Sequence, residues 1–310
     1  MSGIAGGLVS TGSFPKRLWP GVKLFYGDTY NKYPREYELI YQREESDKAY
    51  EEYVSQAGTP LGVLKPEGSP ISIGSFRQAL TTRIVNVTYG LMFAVSQEMQ
   101  EDDQYTPKVA KMGGEFLGNS MQQLKNTLAA QPLNIGFSVN AAHVGGDGLS
   151  LFNVAHTTIS GRTYQNRPVA DADLSEAALE QAEIDIAGLI DEAGLKIAVK
   201  PKLLVIPKEL KFVAERITRT PLRVATGDND INALKSMDLY QNVIVNHWLT
   251  SPKAWFIITD CPNGLIWQER TGLTTSDDND FATGNALFKA QERYAFDFVD
   301  PRGVYGSSGA

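Results

Sequence analysis

The chain has 310 residues, of which 42% are hydrophobic and 21% charged, which is enough to bury a sizeable core without a charged block that predicts a disordered tail. The net charge of −7 argues against a protein that holds nucleic acid tightly through its phosphates. No apolar run reaches the roughly 20 residues that span a bilayer, and the first residues lack the basic region of a secretory signal, so folding in the cytoplasm is expected.

The first 36 residues predict an extended arm. They mix Gly, Pro and Ser with scattered aromatic residues and show neither helical nor strand periodicity. Side chains such as Phe14, Trp19 and Phe25 would be poorly soluble on a free arm, so the arm is expected to lie on its own body or on a neighbouring subunit. An irregular leader packed on one domain is the alternative.

A protruding hairpin is predicted next. A charged, tyrosine-rich segment at 37–56 precedes a Gly/Pro cluster at 57–74, which cannot be a helix or a central strand. Apolar residues then occupy every second position from Val85 to Val95, a pattern typical of a strand with one buried face. Pairing of the charged segment with this strand would make the cluster the tip of a long hairpin.

A long helix is predicted from Thr106, as N-cap, and Pro107 to about Gln131. Its apolar residues follow the three-four spacing of a buried face. Each glycine inside a helix costs roughly 1 kcal/mol relative to Ala. The three in this helix therefore indicate a bend or a close backbone approach, and they are Gly113, Gly114 and Gly118.

The second half of the chain predicts an α/β unit. Asp173 and Glu176 form a plausible capping box for a helix that ends at Gly194, and a buried strand at 203–206 precedes a helix opened by Pro207. Further strands are predicted at 243–245, 255–259, 265–268 and 288–298, before a small polar tail. The pair flanking residues 262–264 is predicted to be a hairpin. The fold class is α+β.

The residues predict no catalytic, cofactor or metal site. His143, His156 and His247 lack the spacing of zinc ligands, and GGDG at 145–148 is better explained as a turn than as a phosphate loop. Nothing near Cys261 in the sequence would activate its thiol. Acidic clusters at 101–103 and 277–280 are more typical of a solvated surface than of a cation site. The tryptophans at 248, 255 and 267 are better explained by packing in a core or interface than by base stacking.

The order of these elements resembles the Hong Kong 97-type major capsid fold over essentially the whole chain. Several segments resemble Mu-like major head subunits in particular: KPEGSPISIG, AVSQEMQEDD, DGLSLFNVAHTTISG, KLLVIPKELKFVAERI and KAQERYAFDFVDPRGVYGS. The resemblance implies an N-terminal arm at 1–36, an E-loop hairpin and its base at 37–96, and a peripheral domain with a spine helix at 97–172. It also implies an axial domain at 173–245 and a return to the peripheral domain at 246–310.

The resemblance also implies where copies of the chain touch. The E-loop tip would contact a neighbour through Gly58, Pro60, Leu61, Lys65, Pro66, Glu67, Gly68 and Pro70. A loop at the capsomer axis would contain Arg219, Pro221, Arg223, Asp228 and Asn229. The N-arm contacts would involve Phe14, Trp19 and Phe25, and the spine helix would bend at its glycines during shell expansion.

By the same resemblance, the protein is a non-enzymatic virion subunit that forms hexamers and pentamers in an icosahedral capsid around the double-stranded DNA of a tailed phage. The expected partners are a separate scaffolding protein, a portal at one vertex, weakly contacted DNA and a decoration or cement protein. No membrane is involved. The alternatives are an encapsulin-like cage that stores cargo and a soluble hydrolase that uses Cys261.

Overall fold

The computed structural model describes residues 8–9, 34–102, 109–140, 142–222, 231–237, 240 and 242–310. The chain divides into two compact units. Unit 1 comprises Met1–Arg35, Asn86–Thr127 and Glu269–Ala295. Unit 2 comprises Glu36–Val85, Leu128–Gln268 and Phe296–Ala310. The domain boundaries inferred from the resemblance stay a prediction.

A four-stranded sheet forms the centre of unit 2. Its strand order is β13-β10-β8-β9, and its members are β8 (Pro201–Ile206), β9 (Val243–Val245), β10 (Trp255–Thr259) and β13 (Val304–Ser307). β8 is parallel to β9 and antiparallel to β10, which is itself antiparallel to β13. All five residues of β10 are buried because both of its faces are covered: Trp255 and Ile257 pack with the helices, and Phe256 packs against Phe152 on the other side.

Two helices pack against this sheet. α3 (Glu176–Ala187) contributes Leu179, Ala182 and Ile186 to the core, and α4 (Lys211–Arg219) contributes Ala214. They meet Leu204 and Ile206 of β8, whose alternation places these two side chains on one face. The predicted helix-strand-helix unit is confirmed.

The predicted ends of α3 are wrong. Ser175, rather than Asp173, is the N-cap, and its side chain accepts a hydrogen bond from the Ala178 backbone N–H. The helix stops at Gly188 instead of Gly194, because the next residues make other backbone pairs, including a bridge between Ile190 and Lys196.

The hairpin predicted around residues 262–264 is also wrong. β10 is paired on both sides, by β8 and β13, so β11 (Leu265–Asn279) belongs to a different, five-stranded sheet. The sequence pattern missed β13 altogether, since the segment assigned to a polar tail is a buried edge strand.

The protruding hairpin of unit 2 is present, with a different second strand. β3 (Tyr50–Ala57) pairs antiparallel with β4 (Arg77–Val85) from Tyr50 opposite Val85 to Ala57 opposite Arg77. The segment that the alternation singled out is β5 (Val87–Val95), which pairs with β12 (Ala286–Phe298) instead. Asn86 separates the two strands.

Unit 1 is built on a sheet and a helix. Its strands are β1 (Leu8–Val9), β5, most of β12 and the larger part of β11, which lie side by side in that order. β2 (Gln42–Glu45) is a strand of unit 2. Leu117 and Met121 of α2 (Val109–Ile135) pack with Ala290, Tyr89 and Phe93. β5 is buried only towards its end: Val95 is fully buried, whereas Val87 and Leu91 stay half-exposed, so the predicted buried face is only partly correct.

The long helix continues past the predicted end. α2 runs through Pro132 to Ile135, and Ala129, Ala130 and Leu133 continue its buried stripe. Thr106 and Pro107 lie outside the described residues. The remaining short elements are α1 (Gln97–Asp102), β6 (His156–Thr157), β7 (Thr163–Tyr164) and α5 (Ala233–Ser236).

Candidate inter-subunit surfaces

The tip of the β3–β4 hairpin is an irregular loop at residues 58–76. All eight residues assigned to the tip by sequence lie in it and are exposed. Gly68 adopts a φ of 77° in a turn that is closed by the hydrogen bond from Ser69 N to Pro66 O. Large apolar side chains are also exposed there, and these are Leu61, Val63, Leu64, Ile71, Ile73 and Phe76. A contiguous exposed apolar segment of this kind is typical of a surface that binds another protein.

Side-chain hydrogen bonds hold the base of this hairpin. Tyr53 Oη donates to Glu44 Oε2 at 2.6 Å and accepts from Gln268 Nε2 at 2.7 Å. Burial, followed by the hydrogen bond to Glu44, raises the pKa of Tyr53. Gly146 packs so closely on β4 that an added Cβ would lie 2.9 Å from Leu80 Cβ. The GGDG turn therefore supports the hairpin base, a role that the sequence pattern did not reveal.

A buried histidine fixes the GGDG turn. His156 is fully buried, with Nδ1 2.6 Å from Asp147 Oδ2 and Nε2 3.2 Å from both Leu151 O and Asn166 Oδ1. Asn166 uses its Nδ2 to donate to backbone carbonyls, and its Oδ1 accepts from Asn153 N, so the amide orientation is determined. Both ring nitrogens thus lie within hydrogen-bonding distance of acceptors, and the ring ties the GGDG turn to Leu151 and Asn166.

The Asp147–His156 pair predicts a loss of stability in acid. Burial opposes ionisation of Asp147, but the hydrogen bonds from His156 and from Leu149 N outweigh it and lower the pKa of this carboxyl. A lowered pKa contributes stability above the ordinary carboxyl value of about 4, and this stability is lost as the pH falls through the folded-state pKa. Asp147→Asn should therefore destabilise the subunit more at pH 7 than at pH 3, as measured by urea unfolding. An equal loss at both pH values would contradict the prediction.

The loop assigned to the capsomer axis is only partly described. Arg219 ends α4 and Pro221 follows it, both exposed, whereas Arg223, Asp228 and Asn229 lie outside the described residues. A bridge between Leu222 and Ile231 closes the base of the loop. Buried Asn232 also holds it, because Nδ2 donates to Thr220 O at 3.1 Å and Oδ1 accepts from Leu234 N. Sequence reasoning missed Asn232, although an Asn before a helix is a plain N-cap signal.

The spine-helix glycines lie within α2, which stays helical through all three. An added Cβ at Gly118 would meet nothing within 4 Å, so a close backbone approach does not explain that residue. The bend stays a prediction. Phe14, Trp19 and Phe25 of the N-terminal arm lie outside the described residues.

The surroundings of the Cys261 thiol do not activate it as a nucleophile. Its Sγ lies 3.7 Å from Pro262 O and 3.9 Å from Asp300 Oδ2. Burial, followed by the charge of Asp300, raises the pKa of this thiol to about 12, so the reactive thiolate is scarce at neutral pH.

The raised pKa predicts slow alkylation of the native thiol. Iodoacetamide at pH 8 should modify Cys261 about 100-fold more slowly than it modifies the urea-unfolded chain. Mass spectrometry against time would measure both rates. Equal rates in the two states would contradict the prediction.

A metal site needs a cluster of ligating side chains, and a membrane span needs a long apolar helix. Within the described ranges, no group of three or more His, Cys, Asp and Glu side chains is arranged to hold a metal ion. None of the helices there combines the length and apolar character of a membrane-spanning segment.

The overall fold matches solved structures of phage shells and of a related cage. A structure from Mycobacterium phage Patience is similar at a TM-score of 0.60 and 10% identity, over 99% of this chain and 93% of that one. The capsid of Myoviridae phage XM1 is similar at a TM-score of 0.53 and 11% identity, over 94% of this chain and 95% of that one. The holo-SrpI encapsulin complex of Synechococcus elongatus PCC 7942 is similar at a TM-score of 0.56 and 6% identity. The match covers 95% of this chain and 94% of that one. A search of curated proteins finds no match.

These likenesses define the class: the chain has the Hong Kong 97-type fold of shell-forming subunits. Its family is defined by sequence. A family model described as phage capsid protein matches residues 79–307, and the chain therefore belongs to the phage capsid protein family. It is a structural subunit of the virion. The encapsulin likeness shows the fold alone, and the closer resemblance to Mu-like head subunits stays a prediction.

Proposed function

We propose that this chain assembles as hexamers and pentamers into the icosahedral capsid that encloses the double-stranded DNA of a tailed phage. The exposed apolar E-loop tip carries the proposal. A lone subunit leaves Leu64 91% and Ile73 98% exposed in a loop without regular structure. Burial on a neighbouring copy removes this apolar surface from water, at roughly 25 cal/mol for each Å².

The charge of the chain supports a container that does not grip its contents. A net charge of −7 lets DNA be packed and released without strong binding to the wall. Assembly takes place in the host cytoplasm with a separate scaffolding protein, a portal occupies one vertex, and a decoration or cement protein binds the finished shell. The N-terminal arm and the capsomer-axis loop supply further contacts between copies.

The test is a double substitution at the E-loop tip. Leu64→Asp with Ile73→Asp should leave the thermal unfolding of the subunit unchanged, because both side chains already contact water. It should abolish capsomers and shells in electron micrographs, because burying two carboxylates costs several kcal/mol. Val169→Asp is the matched control, since Val169 is 83% exposed but lies outside the loop. Shells formed by the double variant as readily as by the unaltered chain would refute the E-loop contact.

A further inference from the structure

The two helices of the unit 2 sheet carry opposite charges. α3 contains four carboxylate residues and no basic one, and these are Glu176, Glu180, Glu183 and Asp185. α4 contains Lys211, Arg216 and Arg219 against a single acid, Glu215, which pairs with Arg219 at 3.2 Å. Neither Lys211 nor Arg216 makes an ion pair with any described residue.

Each helix also exposes one large apolar side chain among these charges. Ile184 of α3 is 65% exposed and Phe212 of α4 is 75% exposed. Phe212, Arg216 and Arg219 fall on one stripe of α4 by their spacing of four and three residues. An aromatic or aliphatic centre surrounded by charge is the usual composition of a protein–protein contact.

The fold places these helices towards opposite edges of the sheet. Asp185 of α3 accepts a hydrogen bond from Tyr305 on the edge strand β13. α4 lies in the crossover between the parallel strands β8 and β9, and a crossover helix packs over the strands that it joins, which here include the other edge strand. Two complementary surfaces at opposite edges suit a head-to-tail contact, which closes into a ring when it is repeated.

We propose that α3 of one copy docks against α4 of the next copy around the capsomer, with Ile184 and Phe212 at the centre of the contact. This rests on the proposed function, because it supplies the ring contact that hexamers and pentamers need. A twofold contact of α4 with itself would oppose like charges and is disfavoured. The head-to-tail contact instead brings Lys211 and Arg216 of one copy close to the carboxylates of α3 on the next copy.

Charge reversal tests the contact. The α4 reversal, Lys211→Glu with Arg216→Glu, and the α3 reversal, Glu176→Lys with Glu180→Lys and Glu183→Lys, should each raise the critical concentration for assembly about tenfold or more, because like charges then face each other. The chain that carries both reversals should recover assembly. Light scattering against subunit concentration measures the effect. Lys196→Glu with Lys202→Glu is the control, since these lysines of unit 2 are exposed but lie outside both helices.

A mixture gives a sharper test of the ring. In an equal mixture of the α3-reversed and α4-reversed chains, each contact joins opposite charges only when the two kinds of chain are neighbours. The two kinds must therefore alternate around the ring, and a ring of alternating chains closes only with an even number of members. Six-membered rings should therefore form without pentamers, and closed shells should be absent from micrographs. Pentamers in the mixture would overturn the proposal.

The remaining outcomes separate this inference from the proposed function. Normal assembly of both single reversals, with the E-loop variant still blocked, would refute the α3–α4 contact and leave the proposed function standing. Failure of the unaltered chain to form shells under any condition would instead refute the proposed function. Assembly of the α4-reversed chain into shells that lose only packaged DNA would identify α4 as a DNA contact and overturn the inference. Circular dichroism melting of each unassembled variant checks its folding.

Discussion

Replacing Arg302 with Met is expected to lower the free energy of unfolding of the subunit by about 3–5 kcal/mol. The guanidinium donates to Glu192 at 2.7 Å, to Asp300 at 3.1 Å and to the Ile190 carbonyl at 2.7 Å. The side chains of Arg302 and Glu192 are each only 6% exposed. Met would therefore leave a buried carboxylate without its cation and a carbonyl without its donor. Urea unfolding followed by tryptophan fluorescence measures the loss.

Two variants control for the loss of a charge or of volume. Arg83→Met breaks an ion pair with Glu52 whose side chains are 55% and 45% exposed, so it should cost less than about 1 kcal/mol. Arg302→Lys keeps the charge but cannot reproduce the planar fork that reaches three partners, so it should recover only part of the stability. The prediction fails if Arg302→Met is no more destabilising than Arg83→Met.

Replacing Lys125 with Met is expected to have a similar cost, about 3–5 kcal/mol, in unit 1. Nζ of Lys125 lies 3.0 Å from Glu292 Oε2 and 3.3 Å from Glu269 Oε1, and it also lies 4.8 Å from the centre of the Tyr294 ring. Lys125 and Glu292 are both 5% exposed. Loss of the ammonium leaves two neighbouring carboxylates in a region with little water. Thermal and urea unfolding of the unassembled subunit would give the change.

Further variants separate the contribution of charge from that of packing in the destabilisation caused by Lys125→Met. Glu292→Gln alone should be milder, because Lys125 keeps Glu269 as its partner. The double variant Lys125→Met, Glu292→Gln should be more stable than Lys125→Met, because one of the two buried charges has been removed. If the double variant is no more stable, the cost of Lys125→Met comes from lost packing rather than from charge.

Local patterns predicted much of this fold. The alternation and apolar runs identified β5, β8, β10 and β12, and the Gly/Pro cluster identified the E-loop tip, because turns and buried strands depend on a few adjacent residues. The order of these parts was sufficient to indicate the capsid fold. The same local rules failed at strand pairing. The residues near β10 in the sequence do not indicate that it pairs with β8 and β13 rather than with β11.

The ion pairs were also beyond sequence reasoning. Lys125 and Glu292 are 167 residues apart, and Arg302 and Glu192 are 110 apart. His156 gave no signal beyond its residue type, since its three acceptors come from the GGDG turn, from the Leu151 backbone and from Asn166, which follows β7. On the candidate surfaces, composition located the E-loop tip. The opposite charges of α3 and α4 became meaningful only when the sheet placed the two helices at its two edges.

The last strand of the sheet bears on how defective chains are handled during synthesis. β13 follows every other described element in the chain, yet it covers one edge of β10 and brings Tyr305 to Asp185. A ribosome that stops before residue 304 releases a chain whose central sheet keeps an open apolar edge, the kind of edge that aggregates or is degraded. We therefore expect unfinished copies to aggregate or to be degraded rather than to join a shell, in which each defective subunit would weaken the wall.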